Sequence, residues 1–403
     1  MATGLSRFLK SGIGILPVRE SERRRILNFD YLQERLNDLG DQHRRRQLVP
    51  RLQQGTRIVG PDGRELVNFG GNDYLGLAAE NVTRSSESAA TGSQASALVC
   101  GWTTEHQRLA DAVAQFESTE AAVIFPSGFA ACSGTIATLA EAGDLILSDQ
   151  LNHASLIDGC RLSPAQCHVY PHRDVAAVEK ILAQQRGQYK RVWIVTDSVF
   201  SMDGHIAPLV ELCDLAEKYD AVLIVDEAHG TGVLGDCGSG LCEALGVKSK
   251  VPIRIGTFSK AIGSQGGFVA GPNVVIDYLI NRCRSLIYST SLAPAAVRAA
   301  LAAIEVINNQ PDRRELLGCL TSQVRERLSI TSEPIERLVP IIPVMVKEDS
   351  AVMALSGKLQ DAGLFVPAIR PPTVPPGPAR LRISLSAAHQ QADIDRLLDL
   401  LTG

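Results

Sequence analysis

Lys260 stands in the run Thr257-Phe258-Ser259-Lys260, flanked by hydroxyls and followed by Gly263, Gly266 and Gly267. A lysine so placed after a strand either holds a phosphate as a point charge or forms a Schiff base once its pKa is lowered. The glycines follow the lysine, so this is not a Walker A loop. Asp226 lies 34 positions earlier, at the end of the aliphatic run Ala221–Val225, and His229 comes three residues after it. A carboxylate delivered to the edge of a buried sheet is costly unless it faces a cation. Taken alone, a helix-capping aspartate reads equally well. Ala121–Phe125 runs into Pro126-Ser127-Gly128-Phe129-Ala130, small residues that open the next helix. The N–H groups of such a start suit a phosphate, although a plain tight turn explains the same residues. His153, in Asn152-His153-Ala154-Ser155, is by itself a helix cap or a satisfied core histidine as readily as a catalyst.

The set is more specific than any member. A lysine, a strand-end aspartate, a nearby histidine and a glycine-opened helix form the apparatus for pyridoxal 5′-phosphate. The lysine would take the aldehyde, the aspartate would pair with the protonated pyridine nitrogen, and the helix terminus would bind the phosphate. No metal is called for.

Positioning these residues requires a sheet. Candidate strands are Ala121–Phe125, Leu145–Ser148, Val192–Thr196, Ala221–Asp226, Ile253–Thr257 and Gly267–Ala270. Between the third and fourth, Pro208–Tyr219 carries Leu209, Leu212, Cys213 and Ala216 on one helical face, with proline suited to the start. Strand, helix, strand predicts a parallel crossover and an α/β fold. Residues 20–55 read as a helix with Leu32, Leu36 and Leu39 in register, and Glu65–Phe69 as a short strand after the turn Gly60-Pro61-Asp62-Gly63. Near the other end, Ile341–Val346 and Leu381–Leu385 read as strands. Ile394, Leu397, Leu398 and Leu401 mark a closing amphipathic helix. The division expected is an N-terminal extension and helix (1–70) joining a small α+β domain (301–403), with a large cofactor-binding domain between them (71–300).

Length and composition agree. A chain of 403 residues exceeds what one core usually supports, which predicts two lobes with a cleft between them. Hydrophobic residues at 45% and charged residues at 21% exclude a disordered chain or a coiled coil. A net charge of −4 offers no general attraction to nucleic acid or anionic membrane, and 5% aromatics argue against a base-stacking surface. Nine cysteines include no C-x-x-C pair, which suggests reduced thiols rather than a disulfide framework or a zinc knot. No run is long enough to span a bilayer. The first nineteen residues hold three basic and no acidic residues, but Lys10 interrupts their apolar run, so they read as an extension and the expected location is the cytoplasm.

The motifs NDYLGL (72–77), FPSGFAA (125–131), LNHASLIDG (151–159), VFSMDG (199–204), VDEAHGTGVLG (225–235), TFSK (257–260), LIYSTS (286–291) and IRPPTVPPGPARLRISLSAAH (369–389) stand in order along the chain. Over residues 40 to 403 the sequence resembles the α-oxoamine synthases, fold-type-I pyridoxal-phosphate enzymes. The resemblance implies a mostly parallel-sheet large domain and a smaller α+β lobe. It implies Lys260 as the Schiff-base lysine, Asp226 as the pyridinium partner, and His229 and Ser201 at the cofactor's phenolic oxygen. His153 would stack on the ring near the substrate. Gly128, Phe129 and Thr257 would hold the phosphate, while Ser289 and Thr290 would reach the phosphate of a neighbouring subunit in a homodimer with shared sites. Asn72 and Arg382 would bind the amino-acid carboxylate, and Arg44 and Thr373 the acyl substrate.

The reaction implied is decarboxylating condensation of an amino acid with an acyl thioester. The segment IRPPTVP points to L-alanine and a pimeloyl thioester, a biotin-pathway step, ahead of the glycine-using 2-amino-3-ketobutyrate coenzyme A ligase or another acyl-chain specificity within the family. A simple aminotransferase and a non-catalytic partner subunit are the rival classes, and the second is disfavoured because Lys260, Asp226 and His229 are all present. Two departures from the family pattern stand out. Gly92-Ser93-Gln94-Ala95-Ser96 replaces a glycine-rich GSGGS, and Asp197 stands where glutamate is usual.

Overall fold

A computed structural model describes residues 29–42, 44–80, 90–371, 373–374 and 377–402. The nineteen-residue basic start lies outside the described residues. Contacts divide the chain after Val49, not after residue 70, into the units Met1–Val49 and Pro50–Gly403.

Of the helix expected over 20–55, residues 20–28 lie outside the described residues; in the first unit Asp30–Asp41 is helical with none of its residues buried, and 44–51 are not helical. Leu32, Leu36 and Leu39 keep their helical register but stay 38–40% exposed. At the start of the second unit, Leu52–Gln54 and Arg57–Val59 pair as an antiparallel hairpin. Gly55, with φ +59°, makes that turn, and the β-branched Ile58 and Val59 continue the strand.

The second unit is built on a seven-stranded sheet in the order Ala121–Phe125, Gly267–Gly271, Ile253–Thr257, Val222–Asp226, Val192–Asp197, Leu145–Asp149, Gln166–Tyr170. Gly267–Gly271 runs antiparallel to both its neighbours, and every other adjacent pair is parallel. The inner strands are largely apolar because both faces are covered, and the buried Arg254 among them is paired with Glu117. Along Val192–Asp197, Val192 and Ile194 enter one core while Trp193 and Val195 enter the other. Gln166–Tyr170 was not expected as a strand. It lies at the sheet edge, where Gln166, Cys167 and Val169 face solvent, so it has no apolar run to announce it.

Two small sheets flank this one in the chain. Glu65–Asn68 pairs antiparallel with Arg57–Val59 and parallel with Leu364–Phe365, joining both ends of the sequence. Ile341–Val346 pairs with Ala379–Ser384, which in turn pairs with Ala368–Ile369. The expected run Leu381–Leu385 therefore begins two residues early, because Val346 finds its partner in Ala379. The closing helix Gln391–Thr402 buries Ile394, Leu397 and Leu398 as the periodicity predicts.

Candidate active site

From Leu145–Asp149 the chain crosses outward to Gln166–Tyr170, then returns to Val192–Asp197 on the other side. Strand order reverses at that point, and open α/β sheets bind ligands beyond the carboxyl ends there. His153 follows the first of these strands. Asp197, Asp226 and Thr257 are the last residues of their own strands. Ala121–Phe125 leads into the helix Gly128–Leu139, whose N-cap Ser127 accepts the Ala130 N–H through Oγ at 3.1 Å.

Gly128 is required by close approach. A Cβ there would lie 3.1 Å from Thr257 Cβ and Oγ1, and a Cβ on Gly267 only 2.7 Å from Gly128 Cα. The first helical turn is thus pressed against Thr257, whose hydroxyl lies 2.7 Å from Ser259 Oγ. The Thr257 hydroxyl also donates to the Gly266 carbonyl at 2.9 Å, so the helix N–H groups are the donors this start offers an anion directly.

Asp226 is 4% exposed. Its Oδ1 accepts the Ala228 N–H at 2.8 Å, and among the described residues its Oδ2 accepts only the weak thiol donor of Cys132 at 3.2 Å. Burial pushes the Cys132 thiol well up, so it stays protonated. Burial also lowers the Lys260 amine, with the carboxylates of Asp226 and Asp197 pulling the other way.

A second line of hydrogen bonds runs in from the opposite end of the chain. Arg382 donates from Nε to the Ser201 carbonyl at 2.6 Å, from Nη1 to Ser384 Oγ at 2.6 Å and from Nη2 to Asn72 Oδ1 at 3.1 Å. Tyr74 OH lies 3.1 Å from that same Oδ1 and 2.6 Å from His229 Nδ1. Burial holds His229 well below its ordinary pKa, reinforced by the Lys260 and Arg382 charges, so the ring is neutral. Burial likewise raises the Tyr74 phenol. Residues 310 positions apart are thereby joined to the Asp226-x-x-His229 turn.

His153 is the N-cap of the helix Ala154–Leu162 and also faces this site. Its N–H donates to Asp197 Oδ2 at 2.6 Å, and the Phe129 ring meets its imidazole edge-on at 6.5 Å. Asp197 is itself fixed, its own N–H donating to Asn152 Oδ1 at 3.0 Å. Burial and the Asp226 charge raise the Asp197 carboxyl, while burial and Lys260 lower the His153 imidazole. The capping reading of His153 is thus met.

Other expected residues are less buried. Ser289 is half-buried and Thr290 exposed, and Thr290 forms an antiparallel bridge with Ser96 of the departed glycine-rich segment. Within that segment Gln94 takes φ +66°, a conformation in which glycine is unstrained. Thr373 is exposed, its N–H donating to the Arg370 carbonyl at 3.0 Å. Arg44 belongs to the first unit, where it donates to Gln42 Oε1 at 2.9 Å. Tyr74, Cys132 and Ser155 were not singled out by sequence. Tyr74 sits inside the NDYLGL motif and Ser155 two residues after His153, which are the only local signals they carry.

The residues fit pyridoxal phosphate. Asp226 Oδ2 lacks a full-strength donor and suits a protonated ring nitrogen. The glycine-cleared cradle at Gly128 and Thr257 suits a phosphate, and the pKa-lowered Lys260 suits an aldehyde.

Comparison with known proteins agrees. Residues 64–401 match the family Aminotransferase class I and II. The chain is 46% identical over 367 residues to the 8-amino-7-oxononanoate synthase of Marinobacter nauticus, covering 89% of this chain and 92% of that one. Among solved structures, a serine palmitoyltransferase from S. paucimobilis with bound PLP superposes with a TM-score of 0.85 at 28% identity, over 92% of this chain and 96% of that one. The 8-amino-7-oxononanoate synthase of Francisella tularensis superposes at 0.68 and 28% identity, over 83% and 96%. The chain belongs to the class I and II aminotransferase family of fold-type-I pyridoxal-phosphate enzymes, in its α-oxoamine synthase branch.

Proposed function

We propose that this enzyme condenses L-alanine with a pimeloyl thioester, releasing thiol and carbon dioxide and forming 8-amino-7-oxononanoate, the product for which its 46%-identical relative is named. The observation that carries the reading is the hydrogen-bonded line Arg382–Asn72–Tyr74–His229, which links a guanidinium fit for an amino-acid carboxylate to the turn bearing Asp226. Arg382 donates from each of its three nitrogens within the protein, which fixes the plane of its guanidinium for a substrate carboxylate.

Bound here, pyridoxal phosphate supplies an electron sink that acidifies the substrate α-proton. Lys260 Nζ, its pKa lowered by burial, would anchor the cofactor aldehyde and, once freed, take that proton. Asp226 keeps the ring nitrogen protonated, and His229 and Ser201 serve the phenolic oxygen. Gly128, Phe129 and Thr257 hold the phosphate, with Ser289 and Thr290 reaching the partner subunit's phosphate in a homodimer. Asn72 and Arg382 orient the carboxylate, Arg44 and Thr373 meet the acyl chain, and His153 covers the ring and steadies the thioester carbonyl. No helix among the described residues is long and apolar enough to cross a membrane, and unpaired cysteines favour the cytoplasm as the place of action.

The likeness to serine palmitoyltransferase favours a second reading, the same chemistry with another amino acid or acyl chain. Thiol release by the cofactor-loaded enzyme separates the two. L-alanine, glycine and L-serine are each paired with pimeloyl-, acetyl- and palmitoyl-coenzyme A. Release that requires L-alanine and the pimeloyl thioester is expected, and release with another pair moves the substrate. Lys260→Ala is expected to abolish both thiol release and borohydride fixation of the cofactor, and appreciable turnover in that variant refutes the mechanism.

A further inference from the structure

Ser155 is 1% exposed and is the second residue of the helix that His153 caps. Two of its groups converge on one atom. Its backbone N–H donates to His153 Nδ1 at 3.2 Å, and its Oγ lies 2.7 Å from the same nitrogen. A backbone N–H can only donate, so Nδ1 is an acceptor and carries no proton. A neutral imidazole then has its single N–H on Nε2, and the serine hydroxyl must also donate to Nδ1. The rest of the residue is fixed too, by Asp197 at the main chain and by Phe129 at the ring edge. Among the described residues none is hydrogen-bonded to Nε2.

We propose that Ser155 is a positioning residue that locks His153 in the Nε2–H tautomer, so that the imidazole meets the acyl thioester as a hydrogen-bond donor and not as a base. The inference rests on the condensation reading above. Removal of the α-proton falls to Lys260 alone. When the new carbon–carbon bond forms, the electron pair displaced onto the thioester oxygen is held by the Nε2–H. It returns when the carbon–sulfur bond breaks, the sulfur leaves as thiolate and takes its proton from water, and no proton leaves His153. The lowered pKa of His153 fits a ring that is neutral throughout.

Neutron diffraction from crystals of the cofactor-loaded enzyme locates the proton directly. Density for a proton on Nε2 and none on Nδ1 is expected, and a proton on Nδ1 overturns the proposal. The kinetic counterpart uses His153→Asn, which keeps a capping acceptor for the Ser155 N–H but has no donor at the reach of Nε2. Thiol release should fall about 10²–10³-fold, the usual cost of removing one oxyanion donor. Exchange of the amino-acid α-proton into D2O, measured without thioester, should fall far less than thiol release, by no more than the lost cover over the ring accounts for. A fall in exchange as large as the fall in thiol release makes His153 the base and sinks the idea. Ser155→Ala should lower thiol release while sparing exchange, and Ser155→Thr, which restores the hydroxyl, should recover it. Failure of α-proton exchange in the unmodified enzyme counts against the condensation reading itself, whereas the proton position on His153 still decides the tautomer.

Discussion

At the scale of single residues, Tyr74 carries the greatest leverage for one atom. It is fully buried, and its hydroxyl is shared between His229 Nδ1 and Asn72 Oδ1. Tyr74→Phe leaves the His229 nitrogen in the interior without a partner and frees Asn72 to turn. The expected loss is about 1–3 kcal/mol of stability in denaturant titration, with a raised KM for the amino acid because Asn72 and Arg382 share that bond. Unchanged values of both would show that the line of hydrogen bonds does not act as one. Gln94 tests a different cost. Its φ of +66° places an L side chain in the left-handed region, so Gln94→Gly removes strain and adds some unfolded-chain entropy. A net gain of up to about 1 kcal/mol is expected, read as a higher thermal midpoint. A fall would show that the Gln94 side chain makes a contact worth more than its strain.

Between elements, the turn before the closing helix is fastened by His389. Its Nδ1 accepts the Ser386 N–H at 2.9 Å, its Nε2 donates to the Asn68 carbonyl at 3.1 Å, and its ring stacks on Phe69 at 4.5 Å. The fastening joins the last strand's exit to the segment that delivers Asn72. Burial pulls the imidazole down to about 4 from 6.5. Between those values the unfolded chain binds a proton that the folded chain refuses, so stability present above pH 6.5 is lost as pH falls toward 4. The size is on the order of 3 kcal/mol. Urea midpoints measured across this window should decline in the natural sequence and decline less in His389→Gln, whose lower starting stability reflects the lost contacts. Equal slopes would move the pH dependence to other groups.

For the whole molecule, the residues assigned to a neighbour's phosphate are not closed off within this chain. Ser289 is half-buried and Thr290 exposed, at the Ser96 bridge. A homodimer with shared sites predicts a sedimenting mass of twice 43.3 kDa. It also predicts that Lys260→Ala mixed with the double variant Ser289→Ala/Thr290→Val regains activity through hybrid dimers carrying one intact site. A monomer, or a mixture no more active than its parts, would end the shared-site assignment.

Local chemistry was legible wherever neighbouring residues carry it. An aliphatic run ending in Asp226, a hydroxyl-flanked Lys260 and a glycine-opened helix are contiguous in sequence, because a strand buried on both faces must be apolar until it reaches its ligand. Six of the seven sheet strands stand out for the same reason. Gln166–Tyr170 does not, since an edge strand with exposed side chains needs only backbone pairing. What the tertiary structure alone decided is which distant groups touch. Cys132 meets Asp226 across 94 residues, Tyr74 meets His229 across 155, and Arg382 meets Asn72 across 310. Hydrogen bonds of this kind are set by the register of strands and the packing of helices, and no local pattern encodes them. Residue types fixed the chemistry available to this protein, and the chain's return path fixed the atoms between which it acts.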